Sequence, residues 1–151
     1  MKIIRTNSVN PDFIELVSLL DAELEILDGA EHSFYAQFSK IDKIKYAVVA
    51  YINEKPVGCG AIREFEPKIM EIKRMYVSPA SRNKGIASGI LSELENWARE
   101  LSCSKCVMET GKRQPEAIGL YKKRGYTLIP NYNQYENIEN SVCFEKELKS
   151  E

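Results

Sequence analysis

The sequence predicts an α/β (α+β) fold in one domain spanning residues 1–151. A mixed, mostly antiparallel central sheet of about seven strands carries about four helices on its faces. Three observations predict this. The 151 residues, 44% hydrophobic and 28% charged, suit one compact core. Three consecutive strand-like runs are separated by turn residues, and apolar runs of helical period alternate with short strand-like runs elsewhere.

The first half begins with a short strand at 2–6, followed by a helix that starts at Asn10-Pro11. Asn is a favoured cap and Pro is tolerated in the first helical turn. Asp28-Gly29 ends this helix, whose apolar residues at helical spacing are Phe13, Leu16, Val17, Leu20 and Leu24. A second, shorter helix is indicated by Phe34, Tyr35, Phe38 and Ile41.

The next elements are three strands at 45–52, 57–65 and 69–77. The turns between them contain Asn53, Pro56 and Pro67, as expected for antiparallel connections. Apolar residues from Ile86 to Leu101 recur every three or four positions and predict an amphipathic helix. The remaining predicted elements are a strand at 105–110, a helix at 115–124, and strands near 125–129 and 142–148.

The charge of the chain is nearly balanced, with 21 basic and 22 acidic residues. No global field therefore attracts it to nucleic acid or to an anionic membrane. No segment has the apolar length of a membrane span or the pattern of a signal peptide. We therefore expect a soluble cytoplasmic protein with no nucleic-acid or membrane partner; its oligomeric state stays open, a homodimer being one alternative.

Four cysteines stand mostly in apolar, strand-like contexts, where reduced Cys behaves as a small hydrophobic residue. Cys103 and Cys106 form a CxxC, which zinc or redox sites also use. A zinc site needs two further ligands, and the single histidine, His32, is distant in the sequence. The pattern favours packing, and neither a metal site nor a disulfide framework is predicted.

The stretch SRNKGIAS, residues 81–88, lies between a strand and an amphipathic helix. A helix N-terminus presents unpaired N–H groups and the positive end of the helix dipole, so it can bind an anion. Gly85 allows a positive φ and a close approach of the backbone to a ligand. The alternative is a capped helix start with solvated basic residues. The order of residues does not fit a P-loop or a dinucleotide fingerprint.

Two blocks carry a resemblance to a known family. EIKRMYVSPASRNKGIASGIL (71–91) and PEAIGLYKKRGY (115–126) resemble motifs A and B of the GNAT superfamily of acetyl-CoA-dependent N-acetyltransferases. The order of elements agrees over nearly the whole chain. The resemblance implies acetyl-CoA as co-substrate, no metal, and a sheet that is splayed between its fourth and fifth strands.

The resemblance also implies which residues bind the coenzyme. The backbone at the strand end would pair with the pantetheine arm, as an added strand does; these residues are Met75, Tyr76 and Val77. The turn would hold the pyrophosphate through Arg82, Asn83, Lys84, Gly85, Ile86, Ala87 and Ser88. Motif B would contribute Ala117 and Tyr121, while Gln114 stands where many members have an Asn that binds pantetheine.

Acetyl transfer to an amine requires a base, because an alkyl amine titrates near 10. Glu71 matches the position of a glutamate that some family members use as base; alternatively it is a solvent-facing residue paired with Lys73 or Arg74. Glu109, at the end of the fifth strand, is the second candidate. Tyr121 matches a family tyrosine that protonates the leaving thiolate, although its helical spacing also fits a core residue.

Fewer residues indicate where the acceptor amine binds. The loop PNYNQYENIEN (130–140) is rich in Tyr and Asn, and we expect it to border the acceptor pocket together with the second helix, including His32 and Tyr35. A packing or surface role is the alternative for His32. The sequence thus predicts an N-acetyltransferase acting on a primary amine of a small molecule or peptide terminus; the alternative is a non-catalytic acyl-CoA-binding module.

Overall fold

The computed structural model describes residues 1–29 and 44–149. Its strands form one seven-stranded sheet in the order β1-β2-β3-β4-β5-β7-β6. The strands are β1 (Lys2–Thr6), β2 (Tyr46–Ile52), β3 (Lys55–Glu66), β4 (Ile69–Val77), β5 (Lys105–Gly111), β6 (Thr127–Ile129) and β7 (Ser141–Glu147). The described α-helices are α1 (Pro11–Asp28), α2 (Ile86–Glu100) and α3 (Pro115–Lys123), and short 3₁₀ turns lie at Pro79–Ser81 and Asn133–Tyr135.

The sheet opens between its two central strands, β4 and β5. These strands are parallel because α2 returns the chain to the same end of the sheet. They pair only at Ile69, Met70 and Glu71, although both strands continue beyond these positions. Among the described residues, the rest of this edge of β4 has no strand beside it. The expected splay between the fourth and fifth strands is therefore confirmed.

A bulge in β4 lies next to this opening. The register with β3 shifts between the pairs Ala61↔Lys73 and Cys59↔Tyr76, so that one extra residue of β4 is accommodated there. Arg74 has a φ of 59°, in the left-handed region. Because side chains alternate along a strand, the bulge moves the following side chains to the opposite faces from those a regular strand would give them.

Helices cover both faces of the sheet. The apolar side of α1 packs on one face through Phe13, Leu16, Val17 and Leu20. On the other face α2 packs through Ile86, Ile90, Leu91, Leu94 and Ala98. Gly60 in β3 permits the close approach of α2, because a Cβ there would lie 2.8 Å from Ile90 and 2.9 Å from Leu94. The apolar residues on the two faces therefore hold α1 and α2 against the sheet that contains the opened strands.

The predicted elements agree with the structure in type and order. All seven strands are present with ends within two residues of the prediction, and Asn10 caps α1 by accepting a hydrogen bond from the Phe13 N–H at 3.0 Å. Pro56, expected in a turn, lies inside β3. The predicted second helix falls outside the described residues. None of the described helices combines the length and apolar character that crossing a membrane requires.

Candidate active site

An open cleft of about 470 Å³ lies between the end of β4, the turn before α2, and α3. Its floor is formed by Met75, Tyr76 and Val77, the residues predicted to run beside a pantetheine arm. One side carries Leu20, Glu23 and Leu27 of α1. The remaining predicted residues in the lining are Arg82, Asn83, Gly85, Ile86, Ala87, Ser88, Gln114, Ala117 and Tyr121. One continuous cleft thus joins both sequence motifs.

The turn before α2 opens toward this cleft. Asn83 and Gly85 have φ values of 64° and 80°, both in the left-handed region, as expected for Gly85. The first intrahelical hydrogen bond runs from the Gly89 N–H to the Gly85 carbonyl at 3.1 Å. The amides of the preceding first turn have no intrahelical acceptor. A Cβ at Gly85 would meet no atom within 4 Å, so the space in front of the turn is open.

The two basic side chains of the turn behave differently. The Arg82 guanidinium donates to the Val77 carbonyl at 2.8 Å and to the Glu23 carboxylate at 2.7 Å. It also stands over the Tyr76 ring, 5.7 Å from the ring centroid. Arg82 therefore ties the turn to β4 and α1. Lys84 is exposed and is not part of the cleft lining.

The opposite wall comes from α3. Gln114 occupies the N-cap position without a capping hydrogen bond from its side chain, Ala117 faces the cleft, and Tyr121 lies one turn further on. The Tyr121 side chain is buried and packs against the rings of Tyr126 and Phe144, with centroid separations of 5.9 and 6.4 Å. Tyr121 thus combines both expected features: it belongs to the core and it borders the cleft.

A smaller cavity of about 120 Å³ continues from the cleft into the opening between β4 and β5. The two share Leu20, Met75, Gln114 and Tyr121 in their linings. The smaller cavity adds polar residues of both strands and of the 130–140 loop: Lys73, Arg74, Glu109, Thr110 and Tyr135. Tyr121 therefore stands at the junction of an extended cleft and a compact polar chamber.

Burial controls the ionisation of Tyr121. Removal from water disfavours the phenolate, and the negative charge of Glu109 adds to that effect, so the pKa of Tyr121 is raised above its ordinary value. The phenol is consequently protonated at neutral pH. A protonated hydroxyl at the junction can donate to an anion that forms there.

The first candidate base, Glu71, is buried, with only 1% of its surface exposed. Its carboxylate accepts hydrogen bonds from Tyr132 Oη at 2.6 Å and from Arg63 Nε at 2.8 Å. Lys73 Nζ is further away, at 3.9 Å. The alternative of a solvent-facing Glu71 is wrong, because loop 130–140 covers it. Its close cationic partner is Arg63.

Of the two cationic partners expected for Glu71, Lys73 lies within ion-pair distance, at 3.9 Å. Arg74 does not pair with Glu71; its guanidinium donates to Asp21 of α1 at 2.8 Å. Glu71 is not part of the lining of either cavity, whereas Glu109 lines the smaller one. The structure therefore places the two candidate carboxylates in different surroundings.

Sequence reasoning did not single out Lys73 and Tyr135 as site residues. Both line the smaller cavity, and Lys73 Nζ lies 3.4 Å from Tyr135 Oη. A signal was present: Lys73 follows Glu71 by two positions, and side chains two apart lie on one face of a strand. Tyr135 belongs to the loop that was expected to border an acceptor pocket.

Other expected features lie elsewhere or outside the described residues. His32 and Tyr35 belong to the segment that the structure does not describe. All four cysteines are free thiols, and Cys106 is buried in the core while Cys103 is half-buried. Within residues 1–29 and 44–149, no group of three or more His, Cys, Asp or Glu side chains is arranged to hold a metal ion.

Comparison with known proteins identifies the family. The model of the acetyltransferase (GNAT) family matches residues 13–126. An IAA acetyltransferase of Azospirillum brasilense is 32% identical over 149 residues, covering 97% of each chain. A candidate acyl-CoA N-acyltransferase from Klebsiella pneumoniae has a similar structure, with a TM-score of 0.82, 31% identity, and coverage of 98% of this chain and 97% of that one.

A GNAT family acetyltransferase from Elizabethkingia anophelis, solved with acetyl-CoA bound, shares the fold with a TM-score of 0.71. It is 18% identical over 97% of each chain. The family model covers most of this chain, and the Azospirillum relative spans nearly all of it. The chain therefore belongs to the acetyltransferase (GNAT) family.

Proposed function

We propose that this protein is an N-acetyltransferase that moves acetyl from acetyl-CoA directly to a primary amine of a small molecule or peptide terminus. The observation that carries the proposal is the junction at Tyr121 and Met75, where the extended cleft meets the smaller polar cavity. The cleft is lined by most of the residues that the family resemblance assigns to the coenzyme. The cavity offers an acceptor amine a place next to a carboxylate.

The coenzyme side of the proposal rests on two features of the cleft. The first-turn amides of α2, beside Gly85, can donate to a pyrophosphate, and the helix dipole favours its negative charge. The β5-facing edge of β4 beyond Glu71 can pair with the amides of a pantetheine arm, as an added strand would. A coenzyme held by these two features would have its thioester near Tyr121.

The transfer requires a balanced movement of protons. The amine nitrogen attacks the thioester carbon, the C–S bond breaks, and one amine proton must leave while the thiolate gains one. We assign the second role to Tyr121, whose phenol is protonated and stands at the junction. The buried ring neighbours Tyr126 and Phe144 hold its orientation.

For the base we favour Glu109, with Glu71 as the alternative. Glu109 lines the same cavity as Tyr121, whereas Glu71 lines neither that cavity nor the cleft. Glu71 fits a positioning role better, because it fixes the loop that forms one wall of the cavity. The family resemblance alone favoured the opposite assignment.

The alternative function is an acyl-CoA-binding module without catalysis. One experiment distinguishes the two functions: the protein is incubated with acetyl-CoA and a library of primary amines, and the release of free thiol is measured. Thiol release that depends on the amine, with acetylated amine as product, supports the enzyme. Binding of CoA without amine-dependent thiol release would leave the binding module.

The enzyme is proposed to act in the cytoplasm. The free thiols of Cys59, Cys106 and Cys143 support this, because a reducing compartment keeps such thiols unpaired. Burial raises the pKa of Cys59 and of Cys106 to about 12, so these thiols are not nucleophiles at neutral pH. This supports direct transfer of acetyl from the coenzyme to the amine.

A further inference from the structure

Lys73 occupies a specific place in the smaller cavity. Glu71 and Val107 are the last paired residues of β4 and β5, and the next side chains on the same face are those of Lys73 and Glu109. Both line the cavity. The two therefore face the cavity from opposite strands at the start of the opening, one cationic and one anionic.

The contacts of the Lys73 ammonium are long. Nζ lies 3.4 Å from Tyr135 Oη and 3.9 Å from Glu71 Oε1, and its side chain is only 15% exposed. The Glu71 carboxylate already has closer partners in Tyr132 and Arg63. An ammonium has three donors, so among the residues that the structure describes Lys73 retains capacity for another acceptor.

A cation that is largely removed from water is unfavourable unless it is paired, and an anion in the cavity would reduce that cost. Burial is the main cause that lowers the pKa of Lys73, and a bound anion would oppose this shift. The neighbouring Arg74 is already occupied, since its guanidinium lies 2.8 Å from the Asp21 carboxylate. Lys73 is thus the cation in this cavity that is best placed to receive an anionic ligand.

We propose that Lys73 binds a carboxylate of the acceptor, so that the acceptor class is amino carboxylates: compounds with a primary amine and a carboxylate a short distance apart, as in an α-amino acid. This inference rests on the proposed N-acetyltransferase function. The amine would lie toward Glu109 and the carboxylate toward Lys73. The cavity of about 120 Å³ is well below the roughly 300–1,000 Å³ of pockets for drug-sized ligands, which favours a compact group.

The test compares glycine, L-alanine and L-methionine with the carboxamide of each, using acetyl-CoA as donor and free thiol as readout. Each pair keeps the primary amine and differs in the charge that Lys73 would bind. We expect each acid to exceed its carboxamide by at least about tenfold in kcat/KM, the usual size of a hydrogen bond to a charged group. The amine of a carboxamide loses its proton more easily than the amine of the corresponding acid. Easier deprotonation would therefore favour the carboxamides and cannot explain a preference for the acids.

Three variants test whether a preference for acids over carboxamides depends on Lys73: K73M, K73R and K55M. K73M should remove most of it, chiefly by raising KM for the acids, whereas K73R keeps the charge and should retain part of it. Lys55 is exposed in the β2–β3 hairpin, so K55M is the matched control and should keep the full preference. Melting curves of all three variants establish that the fold is intact.

Equal rates for acids and carboxamides would overturn the inference and leave the N-acetyltransferase proposal standing, because amine-dependent thiol release would still be seen. A preference for acids that survives in K73M would also overturn it. If carboxamides or other primary amines are acetylated and no acid is, the assignment of the acceptor class is wrong. Failure of every amine, despite CoA binding, would overturn the inference and the proposed function together.

Discussion

At the scale of single residues, the two glutamates of the opened strands show how surroundings separate similar groups. Glu71 is covered by the loop that contains Tyr132 and is paired with Arg63. Glu109, on the neighbouring strand, lines the cavity next to Tyr121. Glu109 therefore borders the space that a substrate amine would enter, and Glu71 does not.

We therefore predict that E109Q lowers the acetylation rate at neutral pH and recovers part of it at high pH. An amide cannot accept the amine proton, but at high pH more of the amine is already neutral. The measurement is kcat/KM against pH for wild type and E109Q, with E71Q as the matched variant. Recovery at high pH in E71Q, and not in E109Q, would transfer the role of base to Glu71.

For Tyr121 we predict that Y121F loses roughly tenfold or more in kcat, because general acid catalysis typically contributes 10²–10⁴-fold. Affinity for CoA and melting temperature should change little, since the ring still packs against Tyr126 and Phe144. Y121A should instead cost about 3–5 kcal/mol of stability through a cavity. Full activity in Y121F would remove Tyr121 from the mechanism.

At the scale of elements, a negative charge at the N-terminus of α2 should affect coenzyme binding and helix stability in opposite directions. Ser88 is the third residue of α2 and lines the cleft. A carboxylate in the first turn stabilises a helix by about 0.3–1 kcal/mol, yet it would repel a bound pyrophosphate. We predict that S88E weakens CoA binding at least tenfold while the melting temperature is kept or raised, as measured by calorimetry and thermal melting.

The control for this prediction is S92E, one turn further along α2. Ser92 accepts a hydrogen bond from Arg124 at 3.1 Å and is not part of either cavity lining. S92E adds the same charge to the same helix outside the cleft, so CoA affinity should be unchanged. Equal affinity in S88E and wild type would show that the pyrophosphate does not lie at this turn.

A partly buried ion pair between Glu95 and Lys146 connects α2 to β7. Glu95 is almost fully buried and receives hydrogen bonds from Lys146 Nζ and Tyr126 Oη, both at 2.9 Å. Removing Lys146 leaves a buried carboxylate with less compensation, so we predict that K146M lowers the free energy of unfolding by about 1–3 kcal/mol. Urea unfolding at constant pH measures the difference.

The control variant for the Lys146 prediction is K105M, which removes the cation of a more exposed ion pair. Lys105 pairs with Glu145 at 3.2 Å, and the Glu145 side chain is 31% exposed, so water can replace the lost partner. The cost should stay within about 1 kcal/mol, as for surface pairs. If both variants lose the same stability, burial of Glu95 does not determine the strength of its pair.

At the scale of the whole molecule, coenzyme binding should stabilise the fold by mass action. Free CoA at a hundredfold excess over its Kd raises the free energy of unfolding by about 2.7 kcal/mol, because it binds only the folded state. For a chain of this size that corresponds to a rise in melting temperature of roughly 5–10 °C. Adenosine lacks the pyrophosphate and pantetheine and should shift it far less. A melting temperature indifferent to CoA would contradict both proposed functions.

The order and type of elements were predictable because they depend on local patterns. The apolar period of α2, the Asn10 cap and the turn residues between strands act within a few positions of the chain, and the structure has these elements as predicted. The positive φ of Gly85 was predictable for the same reason, since the need for glycine is local. The family resemblance supplied the splay between β4 and β5.

The sequence alone therefore determined the elements, their order and the turn that begins α2. The tertiary structure decided what no local pattern contains: the bulge at Arg74, which alters side-chain faces in β4, and the loop that covers Glu71 through Tyr132. It also decided that Lys73 and Glu109 share one cavity. These features depend on contacts between residues that are distant in the chain. The burial and the partners of a carboxylate or an ammonium determine its chemistry, and both exist only once those contacts form.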